Sequence, residues 1–139
     1  MRSGFTLLEL SVSLVLVGLM AGLTMPRYVA WRDRIAVEAA ASTAVSLLAT
    51  ARHAALRRAA VTAVRFDTGT AEVLVHSRSD TIERRPLGEV HGVRLTATRD
   101  SIAYGPAGLG YGAANTRLVM TRGAAAETVT VSRLGRARR

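Results

Sequence analysis

The chain has 139 residues, no cysteine, and a formal net charge of +9 in which all 19 basic residues are arginine. It can therefore carry neither a disulfide nor a thiolate-bound zinc, and its length leaves room for one soluble domain of about a hundred residues beside any membrane segment. A charge balance of this sign favours acidic partners such as nucleic acid or anionic lipid, although arginine used to the exclusion of lysine also follows from GC-rich codons.

Residues 5–25 read FTLLELSVSLVLVGLMAGLTM, twenty-one residues with one ionisable side chain, Glu9. As a helix rising about 1.5 Å per residue this run spans roughly 30 Å, the thickness of a bilayer's hydrocarbon core. Arg2 precedes it, Arg27, Arg32 and Arg34 follow it, and Tyr28 and Trp31 stand where interfacial aromatics sit. A carboxylate in hydrocarbon is costly and normally has a partner. Nothing within this helix neutralises Glu9, which reads either as a functional acid or as one tolerated near the membrane surface. Gly18 and Gly22 form a G-x-x-x-G, a spacing at which small residues let membrane helices approach closely. Pro26 lacks the amide hydrogen a helix interior needs, so a kink or local unwinding is expected between Gly18 and Pro26.

The order of these features is wrong for an ordinary secretory signal, whose apolar core precedes its cleavage site. Here a polar leader of residues 1–4 ends at Gly4, and Phe5-Thr6-Leu7-Leu8-Glu9-Leu10 opens the apolar run. That arrangement resembles the class III leader of the type IV pilin and type II secretion pseudopilin superfamily. The resemblance implies that a prepilin peptidase cuts between Gly4 and Phe5 and methylates the new terminus at Phe5. It further implies that Glu9, fifth in the mature chain, meets the amino terminus of a neighbouring subunit during filament assembly. A buried charge would then be compensated between molecules. The positive-inside rule, counting Arg27, Arg32 and Arg34 against Arg2, places the soluble domain in the cytoplasm. The resemblance implies the reverse, a single-pass bacterial inner-membrane protein with its C-terminal domain in the periplasm, and that orientation is the one adopted.

Beyond the span, residues 27–60 are rich in alanine and free of glycine and proline. Val37, Ala41, Ala44, Leu48, Ala51 and Ala55 recur at spacings of four and three, one face of an amphipathic helix. Arg52, Arg57 and Arg58 fall in its last turns, where cations complement the helix dipole. After Val61 the period becomes alternating. VTAVRF, a turn at Asp67-Thr68-Gly69 and AEVLV form a hairpin with Ala71, Val73 and Val75 on one face. Further strands are predicted at 81–85, 92–98, 101–104, 116–121 and 127–132, the last two flanking a turn at Arg122-Gly123. The glycine-rich stretch 105–112 is predicted to be a loop, and it lacks the lysine and hydroxyl residue of a phosphate-binding loop. The predicted fold class is α+β, a long N-terminal helix packed on a small antiparallel β domain. Its expected divisions are a leader at 1–4, a transmembrane helix at 5–26, an amphipathic continuation at 27–60, and a β domain with a basic tail at 61–139.

The element Tyr104-Gly105-Pro106-Ala107-Gly108, two following strands and the terminal Gly135-Arg136 resemble the H-type minor pseudopilin and FimT-like branch of the same superfamily. An enzyme is not expected: His53, His76 and His91 are scattered, no metal-ligand spacing is present, and no serine lies in a nucleophile turn. No cofactor, metal or small-molecule substrate is expected. The tail concentrates Arg133, Arg136, Arg138 and Arg139 in its last seven residues. Guanidinium forks suit phosphate oxygens, so a mobile tail of this kind either contacts a nucleic-acid backbone or is a solvated basic terminus. In FimT-like minor pilins a terminal Gly-Arg-x-Arg is associated with DNA binding during natural transformation, and Gly135-Arg136-Ala137-Arg138 is similar to it. The reading carried forward is a minor pseudopilin of a type II secretion system, partnered by other pilins or pseudopilins, the peptidase and the inner membrane. The alternative is a FimT-like pilin that captures DNA through its arginines.

Overall fold

The computed structural model describes residues 5–78, 80–112 and 114–139. The expected leader, with the processing residue Gly4, lies outside them. The chain divides into two compact units, Met1–Arg32 and Asp33–Arg139. Helix α1 (Leu7–Arg58) begins in the first and ends in the second.

In the first unit the helix is apolar on all sides. An 18-residue window near the N-terminus has a mean hydropathy of 2.0 and none of it is buried, which fits a single-pass membrane anchor. Leu7, Leu14, Val17, Leu19 and Met20 are all more than half exposed. The Ser11, Ser13 and Thr24 hydroxyls donate back to the carbonyls of Leu8, Glu9 and Met20, so these polar groups are satisfied within the helix. Of the kink or local unwinding expected before Pro26, the unwinding does not occur: α1 remains helical through Pro26. A proline removes one donor, and the bonds on either side keep the helical path.

In the second unit the predicted apolar face of the helix is the buried one. Val37, Ala41, Ala44, Leu48, Ala51 and Ala55 are each at most 2% exposed, joined by Ala40, Leu47 and Ala54. Six of these nine side chains are alanine, which lets the β layer approach the helix backbone closely. The helix ends where Ala59 turns left-handed at φ 48° and the Ala60 amide donates to the Ala55 carbonyl.

Two antiparallel sheets follow. The first contains β1 (Thr62–Asp67), β2 (Glu72–Ser77), β3 (Asp80–Pro86), β5 (Ser101–Tyr104) and β6 (Gly110–Tyr111), in the order β3-β2-β1-β5-β6. The second contains β4 (Arg94–Ala97), β7 (Thr116–Arg122), β8 (Ala125–Val131) and β9 (Ala137–Arg138), in the order β4-β7-β8-β9. Alternate residues of both sheets, among them Val64, Phe66, Val73, Val75, Ile102, Leu118, Met120, Val129 and Val131, share one core with the helix face. The β1–β2 turn is tied by Asp67, whose carboxylate accepts from the Gly69 amide at 2.9 Å and the Thr70 amide at 3.3 Å. These backbone donors hold its pKa below the usual carboxylate value.

Three elements differ from the sequence expectation. A short helix α2 (Leu87–His91) stands between β3 and β4, with Leu87 in the core and Gly92 at φ 65° closing it. The glycine-rich loop contains the small strand β6. The tail, expected to be mobile, turns back at residues 132–135 and adds β9 to β8, pairing Thr130 with Arg138 and Val131 with Ala137.

Asp33 and Arg122 tie the helix to the β7–β8 hairpin. Their side chains pair at 3.0 Å, and Arg122 also donates to the His91 carbonyl. Gly123, at φ 54°, lies so close to Asp33 that a Cβ there would fall 2.4 Å from its carboxylate oxygen. One ion pair thereby joins the helix, the hairpin and α2.

Candidate functional site

Two regions carry the side chains singled out from the sequence. The first is the start of α1. Phe5 is 79% exposed, and Glu9 lies in the first helical turn, where its negative charge suits the helix dipole. The Glu9 amide donates to the Thr6 hydroxyl at 3.3 Å. The Glu9 carboxylate is exposed and forms no ion pair among the described residues. Gly18 and Gly22 have open space beside them, with nothing within 4 Å of a built Cβ. This stretch therefore presents a smooth apolar surface carrying one acid.

The second region is the folded tail. Its turn is fixed by four bonds: Gly135 amide to Ser132 carbonyl, Ser132 amide to Arg136 carbonyl, Arg136 amide to Ser132 hydroxyl, and Gly110 amide to Leu134 carbonyl. Gly135 is required twice over. It sits at φ 79°, and a Cβ there would fall 2.5 Å from the Tyr104 ring. The Tyr104 hydroxyl, on a ring 1% exposed, donates to the Gly135 carbonyl at 3.1 Å. Burial pushes the Tyr104 phenol up to about 12, against the opposing influence of the nearby Arg52 charge.

This turn sorts the four tail arginines. Arg139 pairs with Glu127 at 3.2 Å. Arg133 is exposed on the turn. Arg136 and Arg138 flank a groove of about 550 Å³ between β9 and the C-terminal turns of α1, facing Arg52 and His53, with Leu48 and Leu56 beneath. Arg52 and His53 are legible in the sequence only as helix-end residues. Their approach to the tail is a contact between residues more than eighty positions apart, which no local spacing encodes. Among the described residues, no group of three or more His, Asp or Glu is placed to hold a metal.

Similarity to known proteins follows the same outline. The chain is 29% identical, over an alignment of 154 positions, to the pilin-like protein PilA1 of Thermus thermophilus, covering 99% of this chain and 97% of that one. Its fold is similar to the type IV minor pilin FimU of Pseudomonas aeruginosa, with a TM-score of 0.64 at 11% identity over 78% of this chain and 90% of the other. It is also similar to EpsH, the minor pseudopilin from the type 2 secretion system of Vibrio cholerae, with a TM-score of 0.57 at 15% identity over 73% and 94% of the two chains. The family described as "Type II transport protein GspH" matches residues 40–135, from the buried helix face through the Gly135 turn. An apolar N-terminal helix, a helix-backed pair of antiparallel sheets and this match over most of its length together make the chain a member of the GspH family.

Proposed function

We propose that this chain is a minor pseudopilin, a structural subunit built into a short periplasmic filament of a type II secretion system. Residues 5–26 hold the precursor in the inner membrane until a prepilin peptidase removes residues 1–4 at Gly4 and methylates Phe5. Glu9 then draws the subunit into the filament by pairing with the charged amino terminus of a neighbour, and the β domain faces other subunits. The observation that carries this reading is Glu9 itself. It is one carboxylate in an apolar run, exposed and with no cationic partner among the described residues, on a chain of the GspH family. An acid so placed acquires its partner from another molecule or remains costly in the membrane.

The test is Glu9→Ala, with Glu9→Asp as the charge-retaining control, expressed beside the other subunits of its own machine. Under this reading Glu9→Ala inserts and is processed normally but fails to crosslink to its neighbours, and cargo export falls at least tenfold. Normal crosslinking and export by Glu9→Ala would refute it. DNA capture by the tail is the second reading, favoured by the exposure of Arg133, Arg136 and Arg138. It is weakened by the folding of the tail onto β8 and by the engagement of Arg139 with Glu127. Loss of DNA uptake with intact export in an Arg136→Ala/Arg138→Ala variant would favour it.

A further inference from the structure

The groove between α1 and β9 opens above the Tyr104–Gly135 contact that holds the tail. Its walls carry Arg52 and His53 from the helix and Arg136 and Arg138 from the tail, and its lining contains no aspartate or glutamate. Elsewhere in the molecule acids and arginines are matched. Asp33, Glu38, Glu72, Asp80, Glu83 and Glu127 each pair with an arginine, six of the ten acidic residues. Arg52, Arg136 and Arg138 form no ion pair among the described residues. Three guanidinium groups thus face one groove from two opposed walls with no carboxylate in its lining.

The floor is apolar. Leu48 is buried, while Leu56 is 46% exposed at the lip, against the left-handed Gly108. Three more large apolar side chains, Leu109, Tyr111 and Leu134, are exposed on the loops joined by the Gly110–Leu134 and Gly105–Leu109 backbone bonds. A volume of about 550 Å³ is in the range of built ligand sites and admits a few residues of extended chain.

We propose that this groove receives an acidic peptide segment of a partner polypeptide, its carboxylates held by Arg52, Arg136 and Arg138 and an apolar side chain seated against Leu56. Bidentate guanidinium–carboxylate pairs supply orientation, and the apolar floor supplies burial that a bare phosphate backbone does not use. Single-stranded nucleic acid stacks its bases on exposed rings, and Tyr104, the largest ring in the lining, is 1% exposed with its hydroxyl committed to Gly135, which leaves the smaller His53 imidazole as the exposed ring of the groove. The proposal extends the assembly reading by naming the chemistry of a partner surface, and it rests on that reading only for where the partner comes from.

The experiment uses the full chain in detergent micelles and fluorescence anisotropy. The probe is a fluorescein-labelled peptide acetyl-Glu-Leu-Glu-Glu-Leu-Glu-amide, compared with its glutamine counterpart and a labelled single-stranded oligonucleotide. The acidic peptide should bind saturably and the glutamine peptide should not. Arg52→Gln/Arg138→Gln should weaken binding on the order of tenfold or more. Arg65→Gln/Arg117→Gln, which removes the same charge from exposed strand positions, should leave it within about twofold. Leu56→Ser, with its fold checked by circular dichroism, should weaken it several-fold without changing its salt dependence. Equal loss in the two double variants would overturn the site, as would indifference to Leu56→Ser. An oligonucleotide that binds more tightly than the peptide and displaces it would reassign the groove to nucleic acid. None of these outcomes depends on filament assembly, so failure here leaves the Glu9 test untouched, and the reverse.

Discussion

Raising the pH should destabilise this domain through Tyr104. Tyr104 keeps its proton in the folded state up to about 12, whereas a tyrosine in water loses it near 10.0. Between those values the unfolded chain has released a proton that the folded chain retains, so stability falls as pH rises. The contribution is fully present below pH 10 and is lost as pH climbs through 12. At about 1.4 kcal/mol for each pH unit separating the two values, the loss reaches about 2 kcal/mol at pH 12. The chain suits this measurement because it contains no lysine and no cysteine, and arginine stays charged throughout the window. Urea unfolding of the detergent-solubilised protein, followed by circular dichroism from pH 8 to 12, would be compared with Tyr104→Phe. At neutral pH the variant should be less stable by about 1 kcal/mol, since the Gly135 carbonyl loses its donor. By pH 12 the order should invert, and the latest phenolate to appear in a near-ultraviolet titration should be absent from the variant. An equal alkaline loss in both proteins would refute the assignment of the effect to Tyr104.

Three substitutions in the folded domain test its packing. Thr62 is fully buried and its hydroxyl has no partner among the described residues, so Thr62→Val should raise stability by about 1 kcal/mol in the same urea assay. Gly135→Ala meets both a left-handed backbone and the Tyr104 ring, and should cost about 2–4 kcal/mol while increasing hydrogen exchange across residues 132–139. Asp33→Ala should destabilise by about 1–3 kcal/mol, and in a double-mutant cycle with Arg122→Ala the coupling should exceed about 1 kcal/mol.

The elements legible in the sequence are those encoded by local periodicity. The helix face from Val37 to Ala55 and the strand face of Ala71, Val73 and Val75 are buried as their spacing requires. Both follow from the match between hydrophobic period and backbone geometry. The features that escape a local reading are made by pairings distant in sequence. Helix α2 is too short to show a period, and it is held by Leu87 in the core and by Arg122 reaching the His91 carbonyl. The tail reads as free because its eight final residues contain four arginines and no acid, yet Glu127 on the neighbouring strand and Tyr104 beneath the turn fold it back. Gly135 stands out in the sequence only as part of a resemblance, and the structure gives its physical reason in the Tyr104 contact. Asp33 is hidden among the arginines that follow the apolar run, where its neighbours point to a membrane flank rather than to a partner for Arg122.

The partial coverage of β8 by β9 has a consequence for how these molecules behave when crowded together. Only Thr130 and Val131 are paired on that side, and no strand among the described residues occupies the border beside 125–129. A bare border such as Ala125-Ala126-Glu127-Thr128-Val129 is a template on which another extended chain can grow. At its centre stands Glu127, held by Arg139, a fixed pair of opposite charges that an incoming apolar strand would have to desolvate. Arg139 thus serves as a guard against unwanted sheet extension, and replacing that arginine by alanine would leave the guard half dismantled.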